Sequence, residues 1–182
     1  MQKLILIAGP SGAGKTTISD YLRANFKIPR VLTHTTRPLR VGEQPDRDYH
    51  FESDATFSRL HFFEHVKYGS YQYGSSEEAL REAWREHELV SLIVDIKGAA
   101  AYLQVIKGQV YFLYVTTSTR AELQERLSKR GDDPLKIQAR LSGSELNELP
   151  PELAQDAHIL VNDDWSKTKK ELDKLAESLL QR

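Results

Sequence analysis

Cysteine is absent from all 182 residues, and the first residue is the lone methionine. Without a thiol there is no disulfide, no thiolate metal site and no cysteine nucleophile. An excess of charge is missing as well: 25 Lys and Arg stand against 26 Asp and Glu, a formal net charge of −1. That excludes a globally basic nucleic-acid binder, and no nucleic-acid partner is expected. Long apolar runs are lacking too. The first, Leu4 to Ala8, is far too short for a signal peptide, and no later run approaches the roughly 18 residues of a membrane span. A soluble, cytoplasmic chain with no membrane partner is the expectation. At roughly 100–200 residues per domain, the length corresponds to a single domain.

What is present is a rhythm of strands and helices. Leu4-Ile5-Leu6-Ile7-Ala8 is continuously apolar rather than alternating, the pattern of a strand buried on both faces of a parallel sheet. A glycine-rich turn follows. The spacing of Ile18, Leu22 and Phe26 then predicts a helix over 15–26. Further strands are expected at Leu89 to Ile96, Val110 to Val115 and His158 to Val161. A helix capped by Ser118 or Thr119 should follow the second of these, and a last helix should run from Asp164 to Leu180. Two stretches break the rhythm. Residues 33 to about 82 hold aromatic-rich strand pieces (Tyr49-His50-Phe51, Phe62-Phe63, Tyr68 to Tyr73) around a short helix at Ser53 to Leu60. Residues 121–150 read as helical with a Gly-Asp-Asp-Pro break at 131–134. The expected fold is α/β, a mainly parallel sheet flanked by helices with two small insertions over one face.

Gly9-Pro10-Ser11-Gly12-Ala13-Gly14-Lys15-Thr16 fits G-x-x-x-x-G-K-S/T between the first strand and the first helix. Glycines at these places let successive N–H groups turn inward around a phosphate, and the helix N-terminus adds its positive dipole. In this pattern the lysine reaches the β- and γ-oxygens of a nucleotide and the threonine hydroxyl ligates Mg²⁺. By average residue frequencies a chance match in a chain this long has a probability on the order of 1%. The base-reading N-K-x-D of a GTPase is absent, which favours a small kinase.

From here the sequence resembles the guanylate kinase family over nearly its whole length. The resemblance is carried by the loop above and by Thr35-Thr36-Arg37-Pro38-Leu39-Arg40-Val41-Gly42-Glu43 with Asp48-Tyr49-His50-Phe51. It continues through Phe62-Phe63-Glu64 with Tyr73-Gly74-Ser75, Asp95-Ile96-Lys97-Gly98, Arg126 to Arg130-Gly131 with Arg140-Leu141, and Val161-Asn162-Asp163-Asp164. It implies a P-loop kinase fold: a core (1–32, 83–120, 151–182), a GMP-binding insertion (about 33–82) and a helical lid (about 121–150). It implies ATP and Mg²⁺, with GMP and dGMP as acceptors converted to the diphosphate.

Residue by residue, the resemblance implies ATP contacts from Gly9, Ser11, Gly12, Ala13, Gly14, Lys15, Thr16 and Thr17, with Asn162 near the adenine and Thr16 on the metal. Arg37, Arg40, Tyr49 and Tyr73 would hold the acceptor phosphate, for which the planar fork of arginine is suited. Glu64 would read the guanine, its two oxygens accepting from N1–H and the exocyclic amine, with Thr33, Ser75 and Asp95 beside it. Lys15, Arg126, Arg130 and Arg140 would meet the transferring phosphoryl group, Asp132 and Asp133 pairing with the arginines in an open form. One departure stands out: Ile93 occupies a position where many family members carry Asp. It leaves open a related kinase with another acceptor, such as a phosphorylated sugar or a different nucleotide. A non-catalytic interaction module on the same fold is a third reading, opposed by Lys15. His61-Phe62-Phe63-Glu64-His65 also spells H-x-x-E-H, a zinc pattern that needs a helix. Here the segment reads as strand, where such histidines stand about 13 Å apart.

Overall fold

The computed structural model describes residues 2–142 and 148–181. Strand β1 (Lys3–Ala8) runs into helix α1 (Lys15–Phe26), whose bounds match the spacing. An excursion follows: β2 (His34–Thr35), β3 (His50–Phe51), α2 (Asp54–Phe57), β4 (Phe62–Tyr68) and β5 (Tyr71–Ser76). The chain returns through α3 (Glu77–Glu86), β6 (Leu89–Ile93), α4 (Ile96–Ile106), β7 (Val110–Thr116) and α5 (Arg120–Lys129). It closes with α6 (Pro134–Arg140), α7 (Pro151–Ala154), β8 (Ala157–Val161) and α8 (Trp165–Leu180).

The central sheet has the order β6-β1-β7-β8, and every neighbouring pair is parallel. Its centre explains the continuous apolar run. Leu4, Leu6 and Ala8 point to one face, against Leu80 and Trp84 of α3 and Tyr102 of α4. Ile5 and Ile7 point to the other, against Ile18 and Leu22 of α1, Leu123 of α5 and Leu172 of α8. All five side chains of the run are wholly buried. With helices on both faces an alternating pattern would bury polar groups without partners. Thr119 caps α5 by accepting from the Glu122 N–H, and Asp164 caps α8 by accepting from Ser166 and Lys167.

Two expectations are corrected. The strand expected to reach Ile96 stops at Ile93, because the Asp95 carboxylate accepts the Gly98 N–H at 2.7 Å and starts α4. Tyr68 to Tyr73 is a hairpin rather than one strand, turning at Gly69, which takes φ 62°. Helix α5, at the start of the expected lid region, buries Leu123 and Leu127. Leu123 packs in the same cluster as α1 and α8. Of the expected lid, residues 143–147 lie outside the described residues.

The excursion forms a second, mixed sheet of order β3-β2-β5-β4. It leans on α4, where the Phe63 ring stacks on Tyr102 at 4.2 Å between centroids. A bulge between Phe62 and Glu64 interrupts the β4–β5 ladder. Bulges of this kind re-aim side chains. Phe63 and its neighbour Glu64 both address α4 as a result, and a Cβ on Gly98 would stand 3.1 Å from Glu64 Cγ.

Candidate active site

The loop between β1 and α1 is held by close backbone contact. Gly9 has φ 140°, and a Cβ there would fall 1.9 Å from the Val115 carbonyl oxygen. Gly14 has φ 99°, and a Cβ there would fall 2.5 Å from Asn162 Nδ2. Lys15 folds back over the loop, its Nζ donating to the carbonyls of Gly9 (2.7 Å) and Pro10 (2.9 Å). Burial, and then the positive charge of Arg130, bring its ammonium down to about 8. A phosphate anion beside it would supply the opposite charge that burial makes it lack. Ala13 is buried, whereas Thr16 and Thr17 are exposed on the first turn of α1.

Asn162, expected near the adenine, has its amide engaged within the chain. It is buried; its Nδ2 donates to the Ala13 carbonyl at 2.8 Å, and its Oδ1 accepts from Thr168 Oγ1 at 2.9 Å. Both ends of the amide are thus engaged by the chain, which makes Asn162 a brace under the loop. Arg126 is tied to the same brace, donating to the Asn162 carbonyl at 2.7 Å and to Glu122 Oε1 at 3.0 Å. Arg130 and Arg140 converge on the Asp132 carboxylate.

A cleft of about 390 Å³ joins this loop to the second sheet. Gly9 and Lys15 line one end; Thr33, Tyr49, Glu64, Tyr73 and Asp95 line the other, with Ile93 between. Glu64 is half-buried and accepts from Ser75 Oγ at a long 3.3 Å. Burial, reinforced by the Asp95 charge and opposed by Ser75, pushes its carboxyl up to about 7. A carboxylate held this way is short of hydrogen-bond donors.

Arg37 lies behind the cleft wall, 7% exposed. Its guanidinium donates to Glu43 Oε1 (2.8 Å) and Oε2 (2.9 Å) and to the Pro38 carbonyl. It sits 5.7 Å from the Tyr49 ring and 5.8 Å from the Phe51 ring, within reach of the Tyr73 hydroxyl. Its Nε is buried without a partner. Glu43 also accepts the Arg40 backbone N–H at 2.7 Å, and the contacts with Arg37 first and Arg40 second bring its carboxyl down to about 2. The Arg40 side chain is exposed at the loop surface. His61 and His65 do not come together on a helix: His61 precedes β4 and bonds to Glu78, while His65 lies on β4.

The sequence pattern passed over three contributors. Glu43 is in the quoted motif, and its spacing from Arg37 is the only signal of the pair. Gly98 and Tyr102 shape the floor beneath Glu64, and their four-residue spacing on α4 shows only that they share a face.

Comparison with known proteins shows the family. The guanylate kinase family model matches residues 1–179. The chain belongs to the guanylate kinase family. A guanylate kinase of Desulfotalea psychrophila is 33% identical over 89% of this chain and 82% of its own length. One of Bdellovibrio bacteriovorus is 30% identical over 98% of both chains. The crystal structure of guanylate kinase from Anaplasma phagocytophilum superposes with a TM-score of 0.62, covering 99% of this chain and 85% of that one at 23% identity, a likeness of fold. Among the described residues no helix is long and apolar enough to cross a membrane.

Proposed function

We infer that this guanylate kinase family member transfers the terminal phosphoryl group of ATP to GMP, releasing ADP and GDP. The observation that carries the reading is the single cleft lined by Lys15 at one end and by Glu64 and Asp95 at the other. Transfer requires the acceptor phosphate oxygen to attack the γ-phosphorus in line, as the bond from that phosphorus to the ADP oxygen breaks. A cleft that Lys15 and Glu64 both line supports that geometry.

On this reading the loop N–H groups and Lys15 bind the donor phosphates. Lys15 exchanges the carbonyls of Gly9 and Pro10 for phosphate oxygens. Glu64 accepts the two N–H donors of guanine, while Ser75, Thr33 and Asp95 complete the base site. Arg37, Arg40, Tyr49 and Tyr73 take the acceptor phosphate. Arg130 and Arg140 leave Asp132 to meet the charge that spreads over the equatorial oxygens. Arg126 steadies Asn162 and, through it, the loop. The insertion that holds the second sheet (about 33–82) is the acceptor part, and the segment from about 121 to 150 is the lid.

Magnesium keeps several waters and binds through few protein ligands beside substrate phosphates. The exposed Thr16 hydroxyl at the head of α1, in a cleft shared with Glu43 and Asp48, fits a metal that arrives with ATP. Ile93 lines this same space, so the position at which many family members carry Asp contributes no carboxylate. The ion would supply charge neutralisation at the phosphates. The same base-reading residues would accept dGMP as a second acceptor. The cytoplasm, where both nucleotides are available, is the proposed setting.

The test is ADP release with a panel of monophosphates and sugar phosphates. Adenine offers a lone pair at N1 and no donor at C2, leaving half-buried Glu64 with only its long contact to Ser75. Sites built to bond a substrate group reject analogues lacking it by about 10⁴-fold. GMP should exceed AMP in kcat/KM by that order. Equal rates would overturn the guanine assignment, and a preferred sugar phosphate would establish the rival acceptor.

A further inference from the structure

Beneath the base-reading residues lies a polar atom that the reading above leaves idle. Tyr102 stands on α4 one turn beyond Gly98 and is fully buried. Its ring stacks on Phe63, a packing that phenylalanine would reproduce. Its hydroxyl is buried with no hydrogen-bond partner, a condition shared among the described side chains only with Arg37 Nε. Buried polar groups are satisfied in the great majority of cases, so an orphan here needs a reason. The hydroxyl within its reach is Ser75, in a contact that falls short of hydrogen-bond geometry; the carboxylates of Glu64 and Glu77 act on it as charges. Ser75 is itself buried and directs its proton to Glu64 across 3.3 Å.

A serine hydroxyl has one proton to give and two lone pairs to fill. We propose that Tyr102 is a specificity-determining positioning residue: its hydroxyl donates to Ser75 Oγ when a base occupies the cleft, committing the Ser75 proton to a carbonyl at C6 of a 6-oxopurine. This rests on the reading of Glu64 and Ser75 as base contacts. Once the base N–H groups occupy the Glu64 oxygens, the Ser75 proton is released from its long contact. The hydroxyl turns toward the base, and the lone pair it turns away meets Tyr102. The result is a chain from the Tyr102 O–H through Ser75 to the base carbonyl, in which each bond polarises the next. A purine with an amino group at C6 presents a donor to a donor and gains nothing from the chain.

The experiment compares wild type and Tyr102→Phe with GMP, IMP and AMP. GMP and IMP share the C6 carbonyl; AMP lacks it. The variant should lose about tenfold in kcat/KM for GMP and for IMP, the scale of one net hydrogen bond, with AMP unchanged. The unliganded melting temperature should hold or rise, because an unsatisfied group has been removed. In a Ser75→Ala background, Tyr102→Phe should have no further effect on GMP. Equal losses on all three nucleotides with a lowered melting temperature would overturn the proposal in favour of packing. Unchanged kinetics with intact GMP preference would overturn it while leaving the guanine reading standing. A wild type that does not distinguish GMP from AMP would overturn both.

Discussion

At the loop end of the cleft, the polar side chains already have partners within the chain. Lys15 holds two carbonyls, Asn162 holds Ala13 and Thr168, Arg126 holds Asn162, and Arg130 and Arg140 share Asp132. At the sheet end, where Arg37 is also paired with Glu43 and Glu64 with Ser75, two buried polar atoms lack a partner. They are Arg37 Nε and the Tyr102 hydroxyl, and Glu64 carries a carboxyl pushed up to about 7 beside Asp95. Buried polar groups left unpaired cost stability, whereas paired ones are near neutral. On the proposed reading the donor end trades partners when a nucleotide binds, and the acceptor end keeps these unmet hydrogen bonds for recognition of the base and phosphate. Strain and unmet bonds of this kind gather at functional sites.

If the loop end works by exchange, removing the group that exchanges should cost the most. Lys15→Ala should lose at least about 100-fold in kcat, the scale of one preorganised transition-state donor. Its fold should survive, because the ammonium bonds only to loop carbonyls at the cleft surface. ADP release at saturating ATP and GMP, with a melting curve alongside, checks both. Near-normal turnover would remove the loop lysine from the mechanism.

The sheet end should respond to the opposite kind of change. Glu64→Gln keeps the shape but turns one of two acceptors into a donor. It should cost about 1–3 kcal/mol in GMP recognition, read as kcat/KM, and narrow the preference over AMP. The same substitution removes a buried charge repelled by Asp95, so the unliganded variant should melt higher than wild type at pH 8. Loss of binding together with gain of stability would sharpen the contrast between the ends. A variant that lost both would place Glu64 among the structural residues.

Asn162→Ala tests whether the loop end depends on its brace. The Ala13 carbonyl would lose its donor and Thr168 its acceptor, an expected loss of about 1–3 kcal/mol. For a chain of this size that is a fall of roughly 2–4 °C per kcal/mol in melting temperature. KM for ATP should rise and KM for GMP should not. A rise in both would show that the brace serves the whole cleft.

Much of this contrast was legible in the sequence at the loop end and little at the sheet end. The run Leu4 to Ala8, the glycines and Lys15 state their structure through local pattern, because a parallel strand and a phosphate loop are local devices. The strand after Leu89 was read too long because Val94 and Ile96 are apolar, and periodicity does not register the cap that Asp95 provides between them. Asn162 sits in a matching motif, but its neighbours Ala13 and Thr168 turn it inward, which only packing reveals. Tyr102 read as ordinary core. Its ring is core; the meaning lies in a hydroxyl whose lack of a partner has no trace in the order of residues.

The smallest effect expected is on the pH profile, and it addresses both ends at once. Glu64 must be ionised to accept two N–H groups, and its folded pKa is raised to about 7 by burial first and Asp95 second. Lys15 must be charged to meet phosphate, and its folded pKa is lowered to about 8 by burial first and Arg130 second. The competent form, carboxylate with ammonium, is therefore most populated between these values. The kcat/KM for GMP, which reports the free enzyme, should fall about tenfold per pH unit on the acid side below 7 and again on the alkaline side above 8. GMP's own phosphate titrates near pH 6 as phosphomonoesters do, so the decisive comparison is Glu64→Gln. That variant should lose the arm at 7, retaining only the substrate's step near 6 and the arm at 8. Stability of the unliganded wild type should move the other way: a carboxyl raised in the folded state stabilises less as pH climbs from its unfolded value toward 7. An acid arm that stays at 7 in Glu64→Gln would assign it to another group and leave the sheet end without its titrating base reader.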